Sequence, residues 1–279
     1  MKKYLQLIRV KHWIKNILIF VPMVCGKVLN INNVYITIMG FLAFSMGASF
    51  IYIINDLKDI EKDKLHERKK KRPLASGIIK KGTAKIIAGI ILIIALGLNY
   101  IVTGSFLGIA SYLLLGYITI NILYSYYFKN MVIIDILILA LGFVLRIYYG
   151  ASLVNIQVSD WLFLTVLSGA LFLGLGKRKK ELINNANVRE SLKNYNKEFL
   201  DKFQYIMLTL TLLFYSLWAK EQVNGLMIYT VILVIVIFMR YSLIVEGQDE
   251  GDPATVLYAD KPLMMLCLIY GIIMMGILL

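Results

Sequence analysis

Four polar residues that follow a long apolar run are the first group in this sequence that could do chemistry. Asn55, Asp56, Asp59 and Asp63 stand directly after the uncharged run Asn33–Ile54. On an α-helix, at about 100° per residue, the three aspartates lie about 100°, 40° and 80° from Asn55, so that all four share one face. On a straight helix Asp56 and Asp63 would be about 10 Å apart along the axis. Such oxygen ligands favour a Mg²⁺ ion that bridges the protein to a diphosphate, and they predict a metal site made of these four residues.

A basic cluster follows at once and indicates that the ligand is a polyanion. It comprises Lys64, Arg68, Lys69, Lys70, Lys71 and Arg72. Arg68 and Arg72 lie one helical turn apart, and each guanidinium can hold a phosphate through two parallel bonds. Ser76 and Gly77 can bring backbone N–H groups close to an anion. Two simpler interpretations stay open: Lys69–Lys71 also fit a topology signal, and the acidic group fits a solvated helix end that pairs with its own lysines.

Further cations stand inside the apolar runs or at their ends. Lys177 and Arg178 close one run, where they either face a phosphate or only anchor a helix at the membrane surface. Arg146 lies within another run, and a charge at such depth is costly unless it faces a partner or water. Asp135 is in the same run but about 16 Å away along a helix, so that a direct pair is not expected. Arg146 is therefore a candidate functional residue.

The remaining polar groups are less informative. Arg240 and Tyr241 close an apolar run and are candidates for contact with a substrate. The acidic residues that follow are expected to form a solvated loop rather than a second metal site: Glu246, Asp249, Glu250 and Asp252. His12 and His66 have no thiol, serine or carboxylate at a catalytic spacing, so a hydrolase triad is not predicted.

The elements that must position these residues are membrane-spanning helices. The 279 residues are 59% hydrophobic with a mean hydropathy of +0.73, whereas soluble domains are usually about 45–50% apolar. The apolar runs lack the alternation of a β-barrel, so the prediction is an all-α integral membrane protein. Cys25 and Cys267 lie in apolar runs without metal-type spacing, which indicates neither a disulfide framework nor a zinc site.

Nine apolar segments divide the chain into a predicted bundle of nine transmembrane helices, which form one domain over residues 1–279. The turn signal Thr103-Gly104-Ser105 splits one long run in two. The spans are Ile17–Gly26, Asn33–Ile54, the two halves of Ile86–Phe128, Met131–Tyr149, Trp161–Gly176, Phe203–Ala219, Val223–Met239 and Pro262–Leu279. No small-residue cleavage site follows the basic start, so the first run is expected to stay as a span.

The distribution of charge predicts the orientation. Nearly all of the 30 Lys and Arg residues lie before the first span or in alternate loops, and the opposite loops hold only Lys27 and Lys220. The positive-inside rule therefore places the N-terminus and the long polar loops in the cytoplasm, with the active site at the cytoplasmic face of the cell (inner) membrane. A net charge of +13 also fits nucleic acid, but topology and anionic lipid explain it first. The expected partner is the lipid bilayer, not nucleic acid.

These motifs, taken in order, resemble the UbiA superfamily of intramembrane prenyltransferases over essentially the whole chain. The pattern N-D-x-x-D-x-x-x-D after the second span is the first of them. More narrowly, several segments are similar to the decaprenyl-phosphate phosphoribosyltransferase branch. They are Lys11–Asn16, Asn55–Asp63, His66–Gly77, Tyr124-Ser125 with Lys129 and Asp135, Gly142–Arg146, Ala170–Glu181 and Arg240-Tyr241.

The resemblance implies a reaction and a set of site residues. A polyprenyl phosphate would attack the anomeric carbon of phosphoribosyl pyrophosphate, with Mg²⁺ on the departing diphosphate, as a step in cell-wall biosynthesis. The implied catalytic residues are Asp56, Asp59, Asp63 and Arg146. The implied substrate-binding residues are Lys15, Asn16, Asn55, Arg68, Arg72, Ser76, Tyr124, Lys129, Lys177, Arg178, Arg240 and Tyr241. The sequence leaves the oligomeric state open.

Two alternative functions stay open at this point. An enzyme that moves a prenyl group to an aromatic or other small acceptor would, by the same resemblance, carry a second aspartate-rich motif where this chain has Lys177–Glu181. Two phosphorylated substrates require more cations and fewer carboxylates, so this departure favours phosphoribosyl transfer. A membrane transporter, with Arg146 in its pathway, would need polar groups on both sides of the bilayer, whereas the external loops are short and almost uncharged.

Overall fold

The computed structural model is helical throughout the residues that it describes, which are 2–65, 69–184, 190–222, 225–247 and 252–279. Four residues discussed above, His66, Arg68, Asp249 and Glu250, lie outside these ranges. In chain order the helices are α1 (Lys2–Leu7), a 3₁₀ helix (Val10–Phe20), α2 (Val21–Cys25), α3 (Ile31–Lys58), α4 (Ile60–Lys64), α5 (Lys81–Thr103), α6 (Ile109–Tyr126), α7 (Ile134–Leu153), α8 (Asp160–Ile183), α9 (Lys197–Glu221), α10 (Thr230–Gly247), α11 (Pro253–Ala259) and α12 (Lys261–Leu278). Four shorter 3₁₀ helices are Lys69–Lys71, Phe128–Asn130, Glu190–Asn194 and Leu226–Tyr229.

Seven helices in the described part of the chain are long and apolar enough to cross a membrane, which makes the molecule a multi-pass membrane protein. They are α3, α5, α6, α7, α8, α12 and the continuous segment Leu226–Gly247 that includes α10. The seven coincide with predicted spans, and the predicted division at Gly104 is confirmed, because α5 ends there with a left-handed φ of 66°. The two other predicted spans coincide with Val10–Cys25 and α9, which are not selected by length and hydropathy. Their crossing of the membrane stays a prediction.

The chain divides into two compact units. Unit 1 comprises the described residues of Met1–Met23, Asn30–Tyr127 and Leu145–Ile156. Its central helix is α3, which packs against α5, α6 and the 3₁₀ helix Val10–Phe20. Small residues make this close packing feasible: at Gly150 on α7, a Cβ atom would lie 2.1 Å from the carbonyl oxygen of Ile19. The acidic motif lies at the end of α3, the helix around which the rest of unit 1 packs.

Unit 2 comprises the described residues of Val24–Leu29, Phe128–Val144 and Gln157–Leu279. Helix α8 packs along α9, and α10 packs against α12. One apolar cluster joins α8, α10, α11 and α12 around Phe172, Tyr241 and Val256. A second cluster joins the start of α7, α8 and the connection between α8 and α9, with Ile136, Tyr195 and Leu200 among its members. The polar end of α8 is thus set between two apolar clusters.

Candidate active site

The acidic motif does not lie on one uninterrupted helix. Helix α3 ends at Lys58, and Asp59 has a non-helical backbone with φ −97° and ψ 13° before α4 begins at Ile60. The i to i−4 hydrogen bonds continue through this break, from the N–H of Asp59 to the carbonyl of Asn55 at 3.0 Å and from the N–H of Asp63 to Asp59 at 2.8 Å. The residues therefore keep the spacing of a helix, while the axis is free to change at Asp59.

Asp56 and Asp63 converge on a single nitrogen atom. Both side chains are buried, and their carboxylate oxygens lie 3.1 and 2.7 Å from Nη1 of Arg72. The carboxylates are therefore much closer together than the separation of about 10 Å expected from a straight helix. The side chains therefore bring the two carboxylates to one point, although the residues are about two helical turns apart in the sequence.

A second arginine, one of the basic residues before the first predicted span, reaches the same carboxylate. Arg9 forms an ion pair with Asp56, and its guanidinium lies 4.9 Å from the ring centroid of Tyr52. The backbone of Arg9 is left-handed, with φ 51°, an uncommon conformation for a residue other than glycine. Because 47 residues separate Arg9 from Asp56, no local spacing could have indicated this contact.

The other side of the motif is fixed to the end of α6. Ser125 donates a hydrogen bond to Oδ1 of Asn55, and the Lys58 ammonium donates to the carbonyl of Ser125 at 2.5 Å. That ammonium also lies 4.1 Å from the ring centroid of Tyr126. Tyr124, a predicted substrate contact, is buried one position before Ser125. Helix α6 therefore holds Asn55 in a defined orientation.

The donor atoms of this group suit a magnesium ion. Among the residues that the structure describes, no set of three or more His, Cys, Asp or Glu side chains is gathered to hold a metal. Asp56 and Asp63 nevertheless present two buried oxygens to one positive nitrogen, and hard oxygen ligands are the ones that Mg²⁺ prefers. The pair therefore fits a divalent cation, and Asn55 and the half-buried Asp59 remain predicted ligands.

Arg146 lies in the interior of unit 1, where Asn16, Tyr117 and Phe44 contact its guanidinium. Its Nε donates to Oδ1 of Asn16 at 2.7 Å, and its Nη2 donates to the hydroxyl of Tyr117 at 3.1 Å. The guanidinium carbon is 4.9 Å from the ring centroid of Tyr117 and 5.2 Å from that of Phe44. Hydrogen bonds and aromatic faces therefore hold this buried guanidinium in a defined position.

The 3₁₀ helix Val10–Phe20 supplies the polar partners of this arginine. Asn16 is buried and donates through Nδ2 to the hydroxyl of Ser45 on α3 at 2.8 Å, so both ends of its amide are engaged. Trp13 donates through Nε1 to Ser49, also on α3, at 3.0 Å. Runs of 3₁₀ helix longer than about four residues are uncommon. These side-chain hydrogen bonds to α3 stabilise the long 3₁₀ helix, and Lys15 lies between the two residues that make them.

In unit 2 the basic end of α8 is matched by carboxylates. Arg178 is fully buried, with Nε 2.7 Å from Oδ2 of Asp135 and a further ion pair to Glu181. Lys177 lies 3.6 Å from Asp252. The expectation of a solvated acidic loop is therefore wrong for Asp252, which the apolar packing of α11 carries close to α8.

The Asp135 carboxylate has a second partner in the connection before α9. The hydroxyl of Tyr195 donates to Oδ1 of Asp135 at 2.7 Å. Burial raises the pKa of Tyr195 above its ordinary range, and the neighbouring Asp135 carboxylate raises that pKa further. The phenol therefore keeps its proton and acts as a hydrogen-bond donor at neutral pH.

The remaining predicted contacts are in separate places. Arg240 makes a two-point pair with Asp260, at 3.2 Å from Nε to Oδ1 and 2.7 Å from Nη2 to Oδ2. Its hydrogen bonds lower the pKa of Asp260, which also caps α12 by accepting from the N–H of Leu263 at 2.7 Å. Tyr241 packs in the apolar core of unit 2. Ser76 is exposed and donates to the carbonyl of Arg72 at 2.8 Å.

The structure thus gathers some of the predicted residues and leaves others apart. In unit 1, Asn55, Asp56, Asp63 and Arg72 form one group, and Asn16 and Arg146 form another. The predicted contacts in unit 2 are Lys129, Lys177, Arg178, Arg240 and Tyr241. Arg68 lies outside the described residues. Local sequence patterns did not indicate the partners Arg9, Lys58, Tyr117 and Tyr195, whose contacts span 29 to 67 residues along the chain.

Nearly the whole chain is similar in sequence and fold to known proteins. The model of the family described as UbiA prenyltransferase family matches residues 18–269. Two relatives named decaprenyl-phosphate phosphoribosyltransferase are similar over 94% of this chain: that of Corynebacterium glutamicum is 30% identical, with 82% of its length covered, and that of Mycolicibacterium smegmatis is 28% identical, with 87% covered. The solved structure of a UbiA homolog from Archaeoglobus fulgidus bound to GPP and Mg²⁺ has the same fold. It matches with a TM-score of 0.75 at 19% identity, over 98% of this chain and 99% of that chain.

Proposed function

Because the chain belongs to the UbiA prenyltransferase family, we propose that it transfers 5-phosphoribose from phosphoribosyl pyrophosphate to a polyprenyl phosphate and releases diphosphate. The molecule is a membrane-embedded transferase, and its relatives named decaprenyl-phosphate phosphoribosyltransferase support this choice of substrates. The structural observation that carries the proposal is the convergence of the buried Asp56 and Asp63 on Arg72. Carboxylates for a cation, with arginines beside them, match the needs of a diphosphate leaving group.

The acidic group would hold Mg²⁺ through Asp56 and Asp63, with Asn55 and Asp59 as further ligands. When bound, the ion would neutralise negative charge that develops on the departing diphosphate. Arg9 and Arg72 pair with the same carboxylates, so they stand within reach of a phosphate bound there. In our proposal they turn from the carboxylates to the phosphate oxygens when substrate arrives, which stabilises the leaving group.

The bond changes need no general base. The bond between the anomeric carbon and the diphosphate oxygen breaks, and a bond from that carbon to an oxygen of the lipid phosphate forms. The lipid phosphate is already ionised at neutral pH, so no proton has to be removed before attack. The protein's task is therefore to place and neutralise phosphates.

Several cations are proposed to hold these phosphates. Arg146, oriented by Asn16, is assigned to the phosphate nucleophile together with Lys15. Lys177 is assigned to phosphate oxygens. Its ammonium is partly exposed, and its distance of 3.6 Å from Asp252 is long for an ion pair. The other proposed substrate contacts are Arg68, Ser76, Tyr124, Lys129, Arg178, Arg240 and Tyr241. The polyprenyl chain would lie along the apolar helices. Nine membrane crossings, together with the distribution of Lys and Arg, would place the reaction at the cytoplasmic face.

The decisive experiment supplies the purified protein with radiolabelled phosphoribosyl pyrophosphate, Mg²⁺ and polyprenyl phosphates of several lengths. The expected product is a polyprenyl phosphoribose phosphate, identified by mass. Asp59→Asn is expected to lower its formation at least about 100-fold, the loss typical of a removed electrostatic group at a reacting centre. The matched control is Glu61→Gln, which removes a carboxylate from the exposed side of the same motif and should leave the rate unchanged.

Two further arms test the alternative functions. Transfer from a prenyl diphosphate to an aromatic acceptor, without any phosphoribosyl product, would identify the other type of enzyme in the family. Solute flux into liposomes without any lipid product would identify a transporter. Either result, or an Asp59→Asn enzyme with normal rate and normal Mg²⁺ requirement, would refute the proposal.

A further inference from the structure

One buried hydroxyl joins two segments of unit 2: the connection before α9 and the start of α7, which follows the predicted phosphate-binding residue Lys129. The Tyr195 side chain, only 5% exposed, accepts a hydrogen bond from the N–H of Ile133 at 2.6 Å. The same hydroxyl donates to Oδ1 of Asp135 at 2.7 Å. A phenol has one proton to donate and lone pairs to accept with, so both bonds are satisfied at once. Tyr195 therefore links the connection before α9 to the start of α7.

The backbone at Ile133 needs such a link. Its φ of 70° is left-handed, a conformation that a β-branched residue adopts only where its surroundings hold it. The side chain of Ile133 is 59% exposed, so apolar packing does little to hold it. The carbonyl of Ile133 accepts backbone bonds from Ile136 and Leu137, and the bond from its N–H to Tyr195 holds the other side of the turn.

Two cations depend on the positions that Tyr195 fixes. Lys129 lies just before the strained turn, and its carbonyl accepts a hydrogen bond from the Ser191 hydroxyl at 3.2 Å. Arg178 binds the other oxygen of Asp135 at 2.7 Å, with both side chains fully buried. A shift of either Ile133 or Asp135 would therefore move Lys129 or the guanidinium of Arg178.

We propose that Tyr195 is a positioning residue of the phosphoribosyl transfer reaction: through Ile133 and Asp135 it holds the segment that carries Lys129, and the end of α8 at the buried Arg178, in the arrangement that binds the phosphate groups of a substrate. This inference rests on the proposed function and assigns no chemical step to Tyr195 itself. Its role is to restrict the conformations of two long cationic side chains before the substrate binds, so that less entropy is lost on binding.

The first test is Tyr195→Phe, which removes one oxygen and keeps the ring that packs near Phe199. We expect kcat/KM for phosphoribosyl pyrophosphate to fall about tenfold, the effect of an ordinary hydrogen bond that no longer positions its partner, mainly through a higher KM. The matched control is Tyr215→Phe, which removes a buried hydroxyl bonded to Thr230 in the same unit and should leave kcat/KM within about twofold.

A double-mutant cycle separates positioning from a merely structural role. In a Lys129→Ala background, which has already lost one cation that Tyr195 positions, Tyr195→Phe should cost no more than about threefold, because coupled residues are not additive. A tenfold loss in both backgrounds would overturn the link from Tyr195 to Lys129, and wild-type kcat/KM in Tyr195→Phe would overturn the whole proposal. Wild-type protein without any phosphoribosyl product would instead refute the proposed function.

A second variant keeps the test decisive if Tyr195→Phe does not fold. Ile133→Gly removes the cost of the left-handed turn, since glycine adopts positive φ freely. The double variant Ile133→Gly with Tyr195→Phe should therefore fold and recover at least part of the lost kcat/KM. A double variant that folds but shows no recovery would contradict the part assigned to Ile133.

Discussion

At the scale of single residues, the central feature is that a guanidinium stands where two carboxylates meet. Arg72 is 2.7 Å from Asp63 and 3.1 Å from Asp56, and Arg9 pairs with Asp56 as well. A divalent cation that bound to the same oxygens would compete with these arginines. Arg72 therefore has two effects of opposite sign in the proposed reaction: it weakens the binding of the metal alone and strengthens the binding of the diphosphate.

The corresponding prediction concerns Arg72→Gln. Without the positive charge, the carboxylates should bind Mn²⁺, a spectroscopic substitute for Mg²⁺, several-fold more tightly, as measured by electron paramagnetic resonance on the substrate-free protein. The KM for phosphoribosyl pyrophosphate should rise at least about tenfold, because a charge-assisted bond to phosphate is lost. Lys71→Gln removes the same charge one position earlier, at an exposed site, and is the control that should change neither value. Weaker binding of Mn²⁺ in Arg72→Gln would contradict the competition.

The sequence predicted this group only in part. The helical spacing indicated that Asp56 and Asp63 share a face, and the basic cluster indicated Arg72. Local spacing could not indicate Arg9, because the contact joins positions 47 residues apart, nor the interruption of the helix at Asp59. Long-range pairings of this kind depend on how helices pack, which residue types and local spacing do not encode.

At the scale of elements, the least predictable segment is the 3₁₀ helix Val10–Phe20. Its sequence has the composition of a short apolar span. The hydrogen bonds that hold the 3₁₀ helix are made to side chains of other helices, so local sequence does not indicate them. By contrast, the ends of α5 and α6 follow from a glycine turn and a change of composition, and these were predicted. The position of Asn16, and hence the orientation of Arg146, belongs to the tertiary structure.

A prediction at this scale concerns the contact of the 3₁₀ helix with α7. Gly150→Ala would place a Cβ atom 2.1 Å from the carbonyl oxygen of Ile19, and backbone atoms must move to relieve the overlap. We expect a loss of about 1–3 kcal/mol in the free energy of unfolding, measured by thermal denaturation in detergent. Gly97→Ala on α5 is the control, since nothing lies within 4 Å of the new methyl group. A melting temperature equal to wild type in Gly150→Ala would show that the contact is not tight.

A further prediction concerns the start of α12 and its dependence on pH. The hydrogen bonds from Arg240 lower the pKa of Asp260 in the folded protein. A carboxyl whose pKa is lowered by folding stabilises the fold above its unfolded pKa of about 3.9, and this contribution disappears as the pH falls through the folded pKa. Asp260→Asn should therefore melt below wild type at pH 7, and the difference should shrink below pH of about 4. A difference that is independent of pH would show that the charge of Asp260 is not involved.

At the scale of the whole molecule, the positions of the long apolar helices are the property that the sequence predicts best. Seven helices of the described chain are long and apolar enough to cross a membrane, and each coincides with a predicted span. Helix α9 is 25 residues long but mixes polar with apolar residues, so length and hydropathy alone do not select it. The arrangement of the loops on two sides rests on the distribution of Lys and Arg, which needs no knowledge of packing.

The test of this arrangement places single cysteines at the two ends of α9. In a background without Cys25 and Cys267, Lys220→Cys should react with a membrane-impermeant maleimide on whole cells. Lys193→Cys, exposed before α9, should react only after the membrane is opened. Equal labelling of both positions on intact cells would contradict the crossing of α9 and the proposed orientation.

The ion pairs of Arg9 and Arg72 with the acidic motif also have a consequence for handling the protein. The carboxylates are already balanced by charges that belong to the chain, so the fold does not rely on a divalent ion as a small zinc domain does. Treatment with a chelator should therefore leave the melting curve unchanged while turnover stops, and the addition of Mg²⁺ should restore activity without refolding.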